Sequence, residues 1–266
     1  MCRVAVKRAN QKYLDKNNFL DILFWNIGGQ FSKLIGDKFN DPDFLDEIGS
    51  PHLIGIAELH IHEIPFISGY SLIKQKIRKK NHKGPKISGG LAVFARNDVI
   101  SLFKYIPNDH EDSIWVKVKK EALGNKKDLY IGTAYISPSK GKQKEDESLD
   151  IFFDEINKFK RTSLVLAQGD LNARTGIGLD YLEEDKFDDK LGITNEHKPP
   201  PRNSHDLGKM NTRGKNLLSN CKANDMLIVN GRKVGDIFGS PTSFQWNGEG
   251  LVDYTLADTL TFELIH

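Results

Sequence analysis

Five apolar segments of the chain end in, or carry, side chains that could bind a cation or handle a proton. These residues are Asn26, Glu58, Tyr135, the pair Asp170 and Asn172, and Asp253. Taken singly, each is compatible with an ordinary turn, because Asn and Asp are common turn residues. Carboxylates that become buried need a partner, and a hard cation is the usual partner in a site rich in oxygen ligands. Delivery of these groups to one end of a fold would therefore create a candidate metal site.

A second possible metal site lies in the segment ELHIH, where Glu58, His60 and His62 alternate. On a β-strand the three side chains would share one face and could hold zinc. The alternative interpretation is that the two histidines lie on an exposed loop, and the sequence leaves both open.

The elements that must position these residues are mostly strands. Short apolar runs of strand length recur along the chain, and most are bounded by Gly, Pro, Asn or Asp. They cover residues 20–25, 53–57, 90–95, 114–118, 129–135, 163–167, 226–230 and 251–257. Apolar residues at helical spacing indicate only three helices, over residues 44–48, 149–159 and 217–221. Because strands outnumber helices, a strictly alternating doubly wound sheet is excluded, and we predict an α/β fold of two packed sheets flanked by helices.

Length and composition indicate one globular domain. The chain has 266 residues, 38% of them apolar and 28% charged, and no linker divides it. We expect residues 1–18 to form an N-terminal tail and residues 19–266 to form the domain. No apolar run approaches the roughly 20 residues of a membrane span, so we expect no membrane partner. With only two cysteines and no apolar leader at the N-terminus, we expect an intracellular protein.

Charge is concentrated in one basic run. Residues 74–86 read KQKIRKKNHKGPK, which contains seven Lys or Arg residues in thirteen and no acid. Such a run is either a solvated loop or a contact for a phosphate backbone, because clustered cations release counterions from a polyanion. We name Arg78, Lys79 and Lys80 as the candidate substrate contacts.

Six short motifs occur in an order that resembles a known family. They are FWN at 24–26, AELH at 57–60, SGGLAVF at 88–94, AYISPS at 134–139, GDLNA at 169–173 and LVDY at 251–254. Together they resemble the endonuclease/exonuclease/phosphatase family, whose fold is like that of deoxyribonuclease I. Within this family the chain most resembles the endonuclease domains of LINE-type retrotransposons. The resemblance extends from Phe19 to about Ala257 and implies a two-sheet α/β sandwich.

The resemblance also implies a role for each motif residue. Glu58 resembles the carboxylate that binds Mg²⁺, with Mn²⁺ as a substitute, and Asn26 resembles the amide beside it. Asp170 resembles the residue that orients or deprotonates the attacking water. Asn172 and Tyr135 resemble groups that contact the scissile phosphate. Asp253 resembles the acid that orients a catalytic histidine, and Thr242 resembles a hydroxyl that contacts the DNA backbone.

The function implied is that of a Mg²⁺-dependent endonuclease that nicks DNA. An intact element would carry a reverse transcriptase domain downstream, and the nucleus is the compartment in which such an enzyme meets its substrate. One alternative is a phosphatase or phosphodiesterase of the same fold that acts on a small or lipid substrate. The other is a nucleic-acid-binding remnant without activity.

The chain departs from the family pattern at its C-terminus. The family has a Ser-Asp-His segment beyond the Val-Asp-Tyr strand, and this segment supplies the catalytic histidine. His266 is not preceded by Asp, and it lies too close to Asp253 in the sequence to correspond to the catalytic histidine of the family. We therefore expect the domain to be incomplete, with its last strand missing and no imidazole within hydrogen-bond reach of Asp253.

Overall fold

Two β-sheets carry most of the regular structure in the computed structural model, which describes residues 1–7, 19–77, 89–138, 144–182, 199–245 and 248–266. The five-stranded sheet has the order β1 (Cys2–Lys7), β2 (Phe19–Asn26), β5 (Leu53–Ala57), β7 (Leu91–Arg96) and β6 (Tyr70–Lys76). The six-stranded sheet has the order β12 (Met226–Ile228), β15 (Asp253–Asp258), β11 (Leu164–Asp170), β10 (Leu129–Tyr135), β9 (Ser113–Val118) and β8 (Phe103–Ile106).

Short hairpins and helices complete the described elements. The hairpins are β3 (Phe31–Ser32) with β4 (Gly36–Asp37), and β13 (Ser243–Gln245) with β14 (Gly248–Gly250). The α-helices are α1 (Pro42–Ile48), α2 (Lys120–Leu123), α3 (Lys144–Lys160), α4 (Thr212–Ala223) and α5 (Thr259–Leu264), and two 3₁₀ turns cover Lys38–Asn40 and Ile100–Leu102. None of these helices, within the described part of the chain, is long and apolar enough to cross a membrane.

Neighbouring residues of one strand face different layers of core. Phe24 of β2 and Leu166 of β11 lie in the cluster between the two sheets. Their neighbours face outward, with Leu23 in the cluster beneath α1 and Val165 in the cluster beneath α3 and α4. Strands buried on both faces have continuous apolar sequences. Burial of each large apolar side chain contributes roughly 1.5–3 kcal/mol to the stability of the fold. The layer order is therefore helix, sheet, sheet, helix, which confirms the predicted fold class.

Side-chain caps fix the beginnings of two predicted helices. Asp41 accepts a hydrogen bond from the Phe44 N–H at the start of α1, where Pro42 occupies the first turn. Asn211 accepts one from the Gly214 N–H at the start of α4. Both arrangements follow the preference for Asn and Asp at the N-cap and for Pro at the first helical position.

All eight predicted strands and all three predicted helices are present, but the expected N-terminal tail is wrong for residues 2–7. These residues form β1, which pairs antiparallel with β2 along its whole length. Cys2, Val4 and Val6 are buried, so the segment alternates as a strand with one face in the core. The remainder of the expected tail, residues 8–18, lies outside the described residues.

The two sheets lie close together at Gly55 of β5. A Cβ atom at this position would lie 2.6 Å from Cγ2 of Thr133 on β10, which is closer than atoms in real structures pack. Glycine therefore sets the distance between the sheets two residues before the end of β5.

Candidate active site

The predicted site residues lie where the parallel strands of both sheets end. β2 pairs parallel with β5, and β10 pairs parallel with β11, so the carboxyl ends of each pair meet at one edge. One hydrogen bond joins the sheets directly, from Asn26 Nδ2 to Asp170 Oδ2 at 2.7 Å. The structure thus brings the end of β2 and the end of β11 together.

A second contact joins the sheets through Glu58 and Tyr135. The Tyr135 hydroxyl donates a hydrogen bond to Glu58 Oε1. Glu58 follows β5 with a φ of 56°, in the left-handed region that few non-glycine residues adopt. Such an unusual backbone conformation is maintained only where the surrounding structure fixes it.

The loop after β11 turns sharply to place Asn172. Asn172 has a φ of 48°, and its N–H donates to Asp170 Oδ1 at 2.9 Å. Its side-chain Nδ2 donates to the Ile136 carbonyl oxygen at 3.1 Å. Asn tolerates the left-handed region because its short polar side chain can bond locally. Asp170 and Asn172 are therefore fixed relative to each other and to the end of β10.

Asp253 is the neighbour of Asp170 in the β11–β15 register. Its Oδ2 atom lies 3.2 Å from the amino nitrogen of Met1, while its Oδ1 atom is buried and has no hydrogen-bond partner among the described residues. No imidazole is among the hydrogen-bonding partners of this carboxylate in the described part of the chain. A buried, unpartnered carboxylate oxygen marks a position where a proton, water or cation is needed.

Thr242 lies beside Asp253, but its hydroxyl oxygen is occupied by backbone groups. Oγ1 accepts hydrogen bonds from the N–H groups of Val252 at 3.2 Å and Asp253 at 3.0 Å. In this structure Thr242 therefore fixes the start of β15, and only its hydroxyl proton is left for a further contact.

The electrostatics of the site favour a cation. Burial, and then the nearby Asp253 carboxylate, raise the pKa of Asp170 to about 7, against the hydrogen bond from Asn26. Burial likewise raises the pKa of Asp253. Glu58 adds a third negative charge that acts on both groups. Carboxylates that repel one another resist ionising together, and a bound cation would relieve this repulsion.

The donor set is compatible with a hard divalent cation such as Mg²⁺. No cluster of three His, Cys, Asp or Glu residues converges to form an all-protein cage within the described ranges. Mg²⁺ does not require one, since it keeps several waters and binds through one or two carboxylates. Glu58, with the amide of Asn26 nearby, provides oxygen ligands of this kind.

The alternative zinc site is not supported by the backbone. β5 ends at Ala57, and both Glu58 and His60 have positive φ angles, so the segment is not a strand with one shared face. His60 Nε2 lies 3.7 Å from Glu58 Oε2, whereas His62 is exposed. The three side chains do not act as one ligand set.

Two residues that none of the sequence motifs contains also contact the candidate site. Arg213 and Asn211 of the α4 N-terminus contact the loops that carry Tyr135 and Asp170. The helix-cap pattern at Asn211 was visible in the sequence, but the pairing of Arg213 with remote carbonyl groups was not. The expected basic loop is wrong for residues 74–76, which are the last residues of β6, while Arg78, Lys79 and Lys80 lie outside the described residues.

Three solved structures are similar to the chain in fold. The human Nocturnin catalytic domain with bound sulfate shares 12% identity over 88% of this chain and 80% of that one, with a TM-score of 0.48. A humanized D. rerio TDP2 with 14 mutations shares 12% over 89% and 82%, with a TM-score of 0.47. The inositol polyphosphate 5-phosphatase domain of SpSynaptojanin, in complex with inositol (1,4)-bisphosphate and calcium, shares 14% over 89% and 75%, with a TM-score of 0.38. No model of a protein family matches the sequence, and no curated protein matches it.

Proposed function

We propose that this protein hydrolyses phosphodiester bonds with a divalent metal ion, and that its substrate is DNA, which it nicks. The observation that carries this proposal is the meeting of five polar groups from both sheets at one edge. These groups are Asn26, Glu58, Tyr135, Asp170 and Asn172, in contacts that link the two sheets twice.

Each side chain has a role that its position supports. Glu58, with Asn26 beside it, would hold Mg²⁺ or Mn²⁺, and the ion when bound would neutralise charge on the phosphate as a Lewis acid. Asp170 would orient or deprotonate the attacking water. Asn172 and Tyr135 would donate hydrogen bonds to the charge that develops on the phosphate oxygens. Tyr135 would then exchange its contact with Glu58 for one with the substrate.

The choice of DNA rests on the order of the sequence motifs and on the basic run at residues 74–86. Cations in this run would bind the phosphate backbone without reading its sequence. On this proposal the chain is the endonuclease domain of a retrotransposon, works with a reverse transcriptase domain encoded downstream, and acts in the nucleus.

A plasmid-nicking assay tests the proposal. Supercoiled DNA is incubated with the protein in Mg²⁺, in Mn²⁺ and in excess EDTA, and Asp170→Asn serves as the control for contaminating nucleases. We expect relaxed plasmid with either metal and none with EDTA or with the variant.

Parallel reactions with p-nitrophenyl phosphate and inositol phosphates test the first alternative. Hydrolysis of these small substrates without nicking would assign the site to a phosphatase. DNA binding without hydrolysis of any substrate would identify a remnant without activity.

A further inference from the structure

We propose that the first turn of α4 is a positioning element for the active-site loops, with Arg213 as its central residue. This inference rests on the proposed function, because it assigns a role in the same site. We call Asn211, Arg213 and Gly214 the α4 clamp. None of the three reaches the reacting groups themselves, so they would act by holding the loops that follow Tyr135 and Asp170, the second of which carries Asn172.

The guanidinium of Arg213 joins the ends of two neighbouring strands. Its Nη1 atom lies 3.1 Å from the Ser137 carbonyl oxygen, 3.4 Å from that of Ile136 and 3.5 Å from that of Leu171. Ile136 and Ser137 follow Tyr135 directly, and Leu171 lies between Asp170 and Asn172. A single guanidinium nitrogen therefore contacts the backbone directly after Tyr135 and between Asp170 and Asn172.

Asn211 holds the next part of the same loop. Its Oδ1 atom accepts hydrogen bonds from the N–H of Arg174 at 3.0 Å and from that of Gly214 at 2.7 Å. Its own N–H donates to the Arg174 carbonyl at 3.2 Å, and its Nδ2 donates to the Asn172 carbonyl at 3.4 Å. The N-cap residue of α4 thus caps the helix and anchors the active-site loop at once.

Gly214 allows this close approach. A Cβ atom at position 214 would lie 1.9 Å from the Arg174 carbonyl oxygen, which is an impossible contact with backbone. The helix can dock this tightly only with glycine here.

The buried position of the Arg213 guanidinium is informative because removing its charge from water costs free energy. Arg213 is only 5% exposed, and a buried guanidinium must recover its lost hydration through hydrogen bonds. An apolar residue would cover the same strands at lower cost. What the arginine adds is one donor nitrogen, Nη1, directed at carbonyl groups from two loops, and one of these loops includes Asn172 with its uncommon φ of 48°. Misplacing catalytic groups by about 1 Å can cost about 10²-fold in rate, so such a restraint has a catalytic value.

The test compares Arg213→Met with Arg213→Lys in steady-state nicking kinetics. For Arg213→Met we expect kcat to fall by about tenfold or more with KM within about twofold of wild type, because the loops lose their alignment rather than their contact with substrate. Lysine keeps the charge and part of the donor set, so Arg213→Lys should recover part of kcat. If Arg213→Met does not fold, Arg213→Lys and Asn211→Ala give the same comparison, each expected to lower kcat.

Arg202→Met is the matched control. Arg202 is also buried, at 7% exposure, and donates to the Gly176 and Gly178 carbonyls without contacting the candidate site. The Arg202→Met variant should lose about as much thermal stability as Arg213→Met but keep the wild-type kcat. Equal losses of kcat in the Arg202 and Arg213 variants, or an unchanged kcat in Arg213→Met, would overturn the inference.

Amide hydrogen exchange measured by NMR separates this inference from the proposed function. The N–H groups of Ile136, Asn172 and Arg174 should exchange faster in Arg213→Met than in wild type, while those of β9 should not. This result does not depend on whether the wild-type protein cleaves DNA. Faster exchange in a protein that cleaves nothing would contradict the proposed function alone, whereas unchanged exchange at these three amides would contradict the clamp alone.

Discussion

At the residue scale, Asp170 makes the central contacts of the candidate site. It is 4% exposed, accepts a hydrogen bond from Asn26 of the other sheet, and also accepts one from the N–H of Asn172. Glu58 and Asp253 act on it electrostatically and disfavour its ionised form. An acid in such surroundings is costly to the free protein, which is typical of a residue retained for its chemistry.

Asp170→Asn and Glu58→Gln should separate catalysis from metal binding. We expect Asp170→Asn to lower nicking by about 10²-fold or more at saturating Mg²⁺, because the amide cannot take a proton from water. Glu58→Gln should instead weaken metal binding, so that activity recovers partly as Mg²⁺ is raised. Titration with Mn²⁺ followed by electron paramagnetic resonance measures the metal affinity of each variant. Equal metal affinity in Glu58→Gln and wild type would remove Glu58 from the metal site.

At the element scale, the Glu155 carboxylate binds α3 to the start of β9 and the loop before it. Glu155 accepts hydrogen bonds from Asn108 at 2.7 Å, Ser113 at 2.6 Å and Trp115 at 2.8 Å. Burial alone would raise the pKa of Glu155, but the His110 ring, 3.6 Å away, and the hydrogen bonds from these three groups overcome it and lower the pKa to about 2. The helix is therefore held in place by a charge that folding stabilises.

Glu155→Gln should destabilise the protein in a pH-dependent way. The folded pKa lies below the unfolded value of about 4.3, so the stabilising contribution is present above pH 4.3 and is lost as the pH falls towards 2. We expect a loss of about 1–2 kcal/mol at pH 7 after allowing for solvent screening, and a smaller loss at pH 3. Urea unfolding at the two pH values measures it, with Asp154→Asn on the exposed face of α3 as control. A loss that is the same at both pH values would show that the charge is not responsible.

The elements show what the sequence could and could not predict. Strands buried on both faces were found because their apolar runs are continuous, as in residues 53–57 and 129–135. β1 and β6 were missed because exposed Arg and Lys residues keep their apolar runs short, and pairing with a neighbour is what makes them strands. The site residues were recognised from their motifs, whereas Arg213 acts on carbonyl groups about 40 or more positions away, a relation that only the folded chain contains.

At the scale of the whole molecule, the net charge of +2 conceals a concentration of cations in residues 74–86. We predict that replacing Arg78, Lys79 and Lys80 by alanine flattens the salt dependence of DNA binding and leaves sequence preference unchanged, because phosphate contacts carry no sequence information. Fluorescence anisotropy over a range of salt concentrations measures the slope.

Alanines at Lys119, Lys120 and Lys126 are the control for this charge change. These exposed lysines lie between β9 and β10, at the end of the sheet opposite to the candidate site. The control should keep the wild-type slope. The same slope in all three proteins would show that Arg78, Lys79 and Lys80 do not contact the DNA phosphates.

Because Gly55 and Thr133 pack so closely, the geometry of the candidate site depends on the spacing between the two sheets. Asn26 and Asp170 belong to different sheets, so a thicker core lengthens the hydrogen bond between them. Gly55→Ala would place a methyl group 2.6 Å from Thr133 Cγ2 and force the sheets apart near their catalytic edge. Nicking should then fall by a larger factor than stability alone explains, and a second change, Thr133→Ala, should restore it by making room. A substitution that contacts none of the candidate catalytic groups would in this way lower the proposed activity through distance alone, and the protein would tolerate small losses in its core better than small additions.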